Sequence, residues 1–381
     1  GVDDDSEALT YTYEWVNESD TVFVNDTGAT STIDIPTYLS TDLVEGEMVT
    51  CRVIANDGHE ESTSAQASAA LNNRPTVTPA LDHNPVTTVG VLTCTANGTD
   101  NDGDSITYSY EWVDDTGAVF ATDTGVDSTI DISTHYGVAL SDGELVVCRV
   151  IANDGIEDGP AAEALANVNN RPTVTPTLDE DQVATIDTLT CTPNSYDADS
   201  DVMTYSYEWV EQTGVVFATD EGDSSTIDIS AYLGTDLTEG ETVTCRVIAN
   251  DGREDGPVAE ASSQVNNQPT VTLSLNNDPV ATVDSLVCTA NGTDHDGDSM
   301  TFSYEWKNSS DAVFATDTGG DSTVDIATYL GNELAEGETV TCHVVANDGH
   351  EDGPVAEVSA QVNHRPTVSV VLDKDFALTT D

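Results

Sequence analysis

The stretch Cys94-Thr95-Ala96-Asn97-Gly98-Thr99-Asp100-Asn101-Asp102-Gly103-Asp104-Ser105-Ile106-Thr107-Tyr108-Ser109-Tyr110-Glu111-Trp112 joins a cysteine, a carboxylate-dense loop and an alternating aromatic run. Tyr108, Tyr110 and Trp112 alternate with Ser109 and Glu111, so a strand here has one aromatic face and one polar face. Versions recur at Cys191 to Trp209 and Cys288 to Trp306, and a truncated version runs from Gly1 to Trp15. The cysteines set the period: Cys51, Cys148, Cys245 and Cys342 are each 97 apart, as are Cys94, Cys191 and Cys288. Asn72-Asn73-Arg74-Pro75, Asn169-Asn170-Arg171-Pro172, Asn266-Asn267-Gln268-Pro269 and Asn363-His364-Arg365-Pro366 mark the boundaries, each followed by Thr-Val. Proline fixes its own φ and extends its predecessor, so these are short, stiff linkers. The division is a truncated repeat over 1–72, full repeats over 73–169, 170–266 and 267–363, and a first strand of a further repeat over 364–381. With Gly1 in mid-repeat, the sequence reads as a piece of a longer protein.

Within the repeat 73–169 no long stretch has the 3.6 period of a helix. Short runs rich in Val, Ile, Thr and Tyr lie between Gly/Asp/Asn clusters, which predicts strands near 75–80, 90–96, 106–113, 118–122, 127–132, 144–152 and 161–168. Residues 133–140 are expected to form a short helical turn. Seven short strands, with Cys, Trp 18 residues later and then Cys, form the immunoglobulin-like sandwich pattern, in which two cysteines on facing sheets bridge beneath the Trp. The fold class is therefore all-β: tandem immunoglobulin-like sandwiches with one disulfide each, Cys94–Cys148, Cys191–Cys245 and Cys288–Cys342, and a partner for Cys51 outside the chain. Each bridge is expected to contribute roughly 4 kcal/mol. The usual Tyr two residues before the second Cys is replaced by Val49, Val146, Val243 and Val340.

The Asp-x-Asp-Gly-Asp motif ahead of Tyr-x-Tyr-x-Trp, the Asn-Asp-Gly after the second Cys and the Asn-x-x-Pro-Thr-Val linker together resemble the tandem immunoglobulin-like and cadherin-like repeats of large microbial surface proteins. The resemblance covers the whole chain and implies an extracellular, cell-surface rod that binds calcium.

The residues point to the same cation. Asp100, Asp102 and Asp104 place three carboxylates at alternate positions with a glycine between them. Ca²⁺ takes six to eight oxygens, and glycine lets the loop curl so that they converge. The counterparts are Asp3, Asp5 and Glu7; Asp197, Asp199 and Asp201; and Asp294, Asp296 and Asp298. Ser6 and Ser200 replace the glycine, so weaker binding is expected in the first and third loops. An EF-hand reading with Glu111 as twelfth ligand fails, because an intervening strand at ~3.3 Å per residue carries Glu111 on the order of 20 Å away. Glu111 is expected to be solvated or to pair with Arg149. Sandwich topology brings further ligands to the same end: Asp154 and Asp158 with their counterparts Asp57, Asp251, Asp255, Asp348 and Asp352, and the carbonyls around Asn73. The opposite end carries Asp142-Gly143-Glu144, Glu45/Glu47, Glu239/Glu241 and Glu336/Glu338. In a head-to-tail array it would face the next repeat's acidic loops, a joint that repels until cations bind.

Seventy-one Asp and Glu against nine Lys and Arg give a net charge of -62, which argues against nucleic acid and anionic membranes as partners. Bound divalent cations or a high-salt medium would each offset such self-repulsion. No apolar run approaches the ~18 residues of a membrane span, so no direct membrane insertion is expected in this stretch. Sequons at Asn17, Asn25, Asn97, Asn291 and Asn308 are candidate glycosylation sites. No Ser/His/Asp set, nucleophile elbow or zinc spacing occurs, and no enzymatic activity is expected of the repeats themselves. The expected function is a calcium-stiffened, disulfide-stapled stalk or fibre whose partners are adjacent repeats or neighbouring copies. An adhesin whose repeats bind ligand is an alternative, although the aromatics read as internal. A filament assembled by donor-strand exchange, with the tail from Arg365 completing a neighbour's first repeat, is another.

Overall fold

The computed structural model describes Gly1 and residues 8–371 and divides into two compact units, Gly1–Asn170 and Arg171–Asp381. The second repeat, in the first unit, shows the pattern. Strands Thr76–Leu81, Val91–Thr99 and Asp127–Asp131 form one antiparallel sheet, in that order. Ala162–Asn167, Leu145–Asn153, Thr107–Val113 and Val119–Thr124 form the other. A single helical turn, Ile132–His135, lies where 133–140 was expected to turn, with the Asp131 side chain accepting from the Ser133 N–H at its start. All seven predicted strands are present.

Alternation creates the core. Leu92, Cys94, Tyr110, Trp112, Val146, Cys148 and Val150 point between the sheets and are at most 2% exposed. Cys148 lies opposite Trp112 in one sheet, and its disulfide crosses to Cys94 in the other. Cys191–Cys245 and Cys288–Cys342 repeat the arrangement beneath Trp209 and Trp306. Each indole N–H is satisfied by a serine of the opposite sheet: Trp112 by Ser128 at 3.0 Å, Trp209 by Ser225 and Trp306 by Ser322 at 2.9 Å. This bond lets a large polar-tipped ring lie in a dry core. The tyrosines two residues earlier are also buried, with Tyr110 donating to the Val126 carbonyl and Tyr304 to the Gly320 carbonyl.

In the first repeat, Val22–Thr27, Thr10–Val16, Met48–Asn56 and Ala65–Ala70 form a four-stranded sheet, and no facing sheet lies among the described residues. Trp15 and Cys51 are accordingly half-buried, and Cys51 carries no bridge there.

The second unit holds the third and fourth repeats, each with its own core. The third departs in its first strand, which breaks into Thr173–Val174 and Thr177–Leu178. In the second repeat Pro79 pairs with Ala96; at the same positions the third has Pro176 and Pro193. Neither proline can donate to the ladder, so pairing lapses between the two segments. Beyond the break, Gln182–Val183 pairs in parallel with Gln264–Val265. The second and fourth repeats have only single bridges there, Val86–Val168 and Val280–Val362: the Gln264 N–H of the third repeat donates to the Asp181 carbonyl, whereas the matching N–H groups of Asn167 and Gln361 donate to the side chains of Asn84 and Asp278.

Candidate cation-binding loops and joints

The loop after the second strand of each full repeat curls about a left-handed residue: Gly103 (φ 81°), Ser200 (φ 63°) and Gly297 (φ 87°). Ser200 therefore does not open its loop, although a non-glycine residue there costs about 1–2 kcal/mol. The curl brings together oxygens of Asp100, Asp102 and Asp104, of Asp197, Asp199 and Asp201, and of Asp294, Asp296 and Asp298, each set within 4.8 Å. Asp3, Asp5 and Glu7 lie outside the described residues.

The first Asp of each set organises its loop. Asp100 Oδ1 accepts the N–H groups of Asp102 and Asp104, Asp197 Oδ1 that of Asp201, and Asp294 Oδ1 those of Asp296, Gly297 and Asp298. The second oxygen of each, Asp100 Oδ2, Asp197 Oδ2 and Asp294 Oδ2, is enclosed with no hydrogen-bond partner among the described residues. Asp197 as a whole is only 7% exposed. A buried carboxylate oxygen without a donor is unfavourable unless something positive meets it. A hard cation at the three converging carboxylates fits this donor set.

The remaining candidates divide. Asp158, Asp255 and Asp352 turn to their own loops and accept from the side-chain amides of Asn153, Asn250 and Asn347 at 2.8 to 2.9 Å, and are not brought into the triads. Asp57, Asp154, Asp251 and Asp348 each accept the N–H groups two and three residues ahead on Oδ1. The N–H groups of Glu60 and His59 hold the Asp57 carboxyl below its usual value.

Asp154 and Asp348 also reach the linker. In the first unit, Asn72 Nδ2 donates to Asp154 Oδ2 at 2.7 Å and to Glu157 Oε1 at 3.2 Å. The Asn72 bond is the chief cause holding the Asp154 carboxyl below its usual range. Asn73 donates its backbone N–H to Asp102 Oδ2 at 2.7 Å and its side-chain amide to Asp102 Oδ1 at 2.8 Å. The carbonyls around Asn73 were expected to face the loop; its N–H groups do so instead, because they meet the negative charge there. In the second unit, Asn266 donates to Asp348 and Glu351, both at 2.9 Å, and Asn267 donates twice to Asp296 at 2.7 Å. Thr185 adds its N–H (3.0 Å) and hydroxyl (2.6 Å) to Glu351. Burial alone would raise the Glu351 and Asp348 carboxyls; hydrogen bonds led by Thr185 and Asn266 outweigh it and hold both low.

At the opposite, acidic end of the sandwiches several carboxylates have local partners. Glu45 pairs with Arg74 of the linker at 2.5 Å, and Glu336 pairs with Arg365. Glu47, Glu144, Glu241 and Glu338 accept backbone N–H groups of their own turns. The arginines offset the charge of Glu45 and Glu336, whereas the other four glutamates keep theirs. Elsewhere Arg149 spans Glu111 at 3.1 Å and Glu163 at 2.9 Å, as expected for Glu111. Asn25, Asn97 and Asn291 are exposed, whereas Asn17 and Asn308 donate their amides to the carbonyls of Asp42 and Glu333.

The fold defines a class: a repeat protein of tandem immunoglobulin-like sandwiches. No protein-family model matches the chain, and no curated protein matches its sequence. Among solved structures it is similar to the FN1–FN3 domains of chicken CNTN1, with 12% identity over 74% of this chain and 97% of that one and a TM-score of 0.25. It is similar also to the three N-terminal domains of the bacteriophage RB49 Highly Immunogenic Outer Capsid protein (Hoc), with 13% identity over 77% and 99% and a TM-score of 0.34. Among the described residues no helix is long and apolar enough to cross a membrane.

Proposed function

We propose that the chain is a structural segment of an extracellular surface stalk or fibre, in which Ca²⁺ held by the Asp triads stiffens successive repeats. The observation that carries the reading is the enclosed, unpartnered Asp197 Oδ2 within a triad, matched by Asp100 Oδ2 and Asp294 Oδ2. Three loops thus share an enclosed carboxylate oxygen without a donor, although in the third Arg253 also pairs with Asp201 at 3.3 Å. The joints supply the mechanical link: the middle Asp of a triad is also the acceptor for the linker, through Asn73 to Asp102 and Asn267 to Asp296. Neutralising the triad lowers the charge that this loop presents to its neighbours, and it fixes the residue on which the linker docks. Three disulfides fit an oxidising, extracellular setting.

Calorimetric titration of the chain with calcium tests the reading. Uptake is expected, and a chain carrying Asp100→Asn, Asp197→Asn and Asp294→Asn together should lose most of it. No uptake by the wild type, or unchanged uptake by the triple variant, would overturn the proposal.

A further inference from the structure

The third repeat's triad differs from the other two in two respects. Its first Asp is the most enclosed: Asp197 is 7% exposed, whereas Asp100 and Asp294 are half-buried. Asp197 Oδ1 accepts the Asp201 N–H at 3.1 Å, and Asp197 Oδ2 has no hydrogen-bond partner among the described residues. The second difference is a cation of the chain's own at the rim. Arg253 Nε donates to Asp201 Oδ2 at 3.3 Å. Arg253 stands in the turn after strand Thr242–Asn250, where Asp251 Oδ1 accepts the N–H groups of Arg253 and Glu254 at 2.7 and 2.8 Å and so fixes the backbone from which the side chain springs.

Position 253 is one at which the repeats diverge. Its counterparts, 97 residues apart, are His59, Ile156 and His350. The matching loops of the second repeat, 100–104 and 153–158, and of the fourth, 294–298 and 347–352, contain no Lys or Arg. A guanidinium stays charged and offers only donors, so it cannot itself ligate a metal. An ion bound to Asp201 at about 2.4 Å would lie roughly 4–6 Å from that guanidinium. The pair is partly exposed, with Asp201 and Arg253 side chains 32% and 41% accessible, so solvent screens the repulsion. What survives at that separation is about three- to tenfold in affinity.

We infer that Arg253 is a built-in competitor for the cation of the third loop. It holds Asp201 while the loop is empty and raises the calcium concentration at which the loop fills, so the second and fourth loops fill first. Ser200 gives no such reason for a weaker third loop, because it adopts the same left-handed conformation as Gly103 and Gly297. Arg253 reaches Asp201 alone, so the enclosed Asp197 Oδ2 keeps its call for a cation and the third loop is weakened without being closed. The inference rests on the calcium reading of the triads and deepens it by naming the residue that grades filling along the chain.

The methionines give separate readouts: Met203 lies two residues after Asp201, and Met300 two residues after Asp298. Calcium titration of the full chain, labelled at the methionine methyls and followed by NMR, therefore reports the third and fourth loops separately. In the wild type the Met203 midpoint should lie above the Met300 midpoint. Arg253→Ile, which installs the second repeat's residue, and Arg253→Gln, which keeps a polar side chain, should each lower the Met203 midpoint about three- to tenfold and leave Met300 unmoved. Both variants keep the backbone N–H that Asp251 accepts, and methyl spectra without calcium confirm that they are folded. If Met203 and Met300 ignore calcium in every chain, the calcium reading itself fails and this inference with it. If Met300 responds but either variant leaves the Met203 response where it was, or moves its midpoint upward, Arg253 is an ordinary surface ion pair and the inference alone is overturned.

Discussion

Trp112 shows how one residue joins sequence to fold. Its place 18 residues after Cys94 marks it in the sequence as the ring over the bridge, and the structure buries it completely. The sequence does not reveal Ser128 as its partner, because that bond spans two sheets and depends on the register of both. Ser128→Ala should leave the indole N–H dry and unpaired, at a cost of about 1–3 kcal/mol to the second repeat. Denaturant unfolding followed by tryptophan fluorescence would read the shift. The tyrosines set a second expectation. Burial, with Asp127 adding to it, pushes the Tyr110 hydroxyl up to about 12, and burial does the same to Tyr207. The unfolded chain ionises its tyrosines near 10, so the folded state binds more protons above that pH. The contribution is intact below pH 10 and is lost as pH rises through about 12. Melting temperature should therefore hold to about pH 10 and then fall, and Tyr110→Phe should lessen the fall.

Elements were legible where periodicity decides them and illegible where orientation does. The strands, the cysteine pairs and the Asp triads all follow from spacing. The linker does not: Asn-Asn-x-Pro reads as stiff, but nothing local says whether its carbonyls or its N–H groups meet the acidic loop. The fold decides that, and it turns Asn72 and Asn73 as donors toward Asp154 and Asp102. The break in the third repeat's first strand needed Pro176 and Pro193 to be recognised as opposite one another, which is a matter of pairing. Close approach is equally hidden. A Cβ on Gly159 would lie 1.8 Å from the Pro75 carbonyl oxygen, and on Gly353 2.0 Å from that of Pro269. Each glycine lets the loop before the last strand lie against the start of its repeat. Gly353→Ala should force backbone movement and destabilise the fourth repeat by about 2–3 kcal/mol, measurable as a lowered unfolding midpoint.

On the scale of the whole molecule, the 97-residue period was plain from the cysteines alone, and three copies of one loop carry the same enclosed, unpartnered oxygen. Reducing the three disulfides should cost each full sandwich roughly 4 kcal/mol, a large share of the ~5–15 kcal/mol typical of a domain. Thermal melts with and without reductant would show it. A net charge of -62 opposes compact packing of repeats at low ionic strength. Monovalent salt relieves such repulsion by screening, whereas calcium on the proposed reading would relieve it by binding at sites; the two are separable at constant ionic strength. Small-angle scattering with a parallel thermal melt, in calcium and then in EDTA at fixed ionic strength, is the most direct test. The expected result is a longer, stiffer particle and a higher melting temperature in calcium, both reversed by EDTA and both blunted by Asp197→Asn with Asp294→Asn. Identical scattering and melting in the two conditions would contradict it, and would leave the acidic loops as solvated turns.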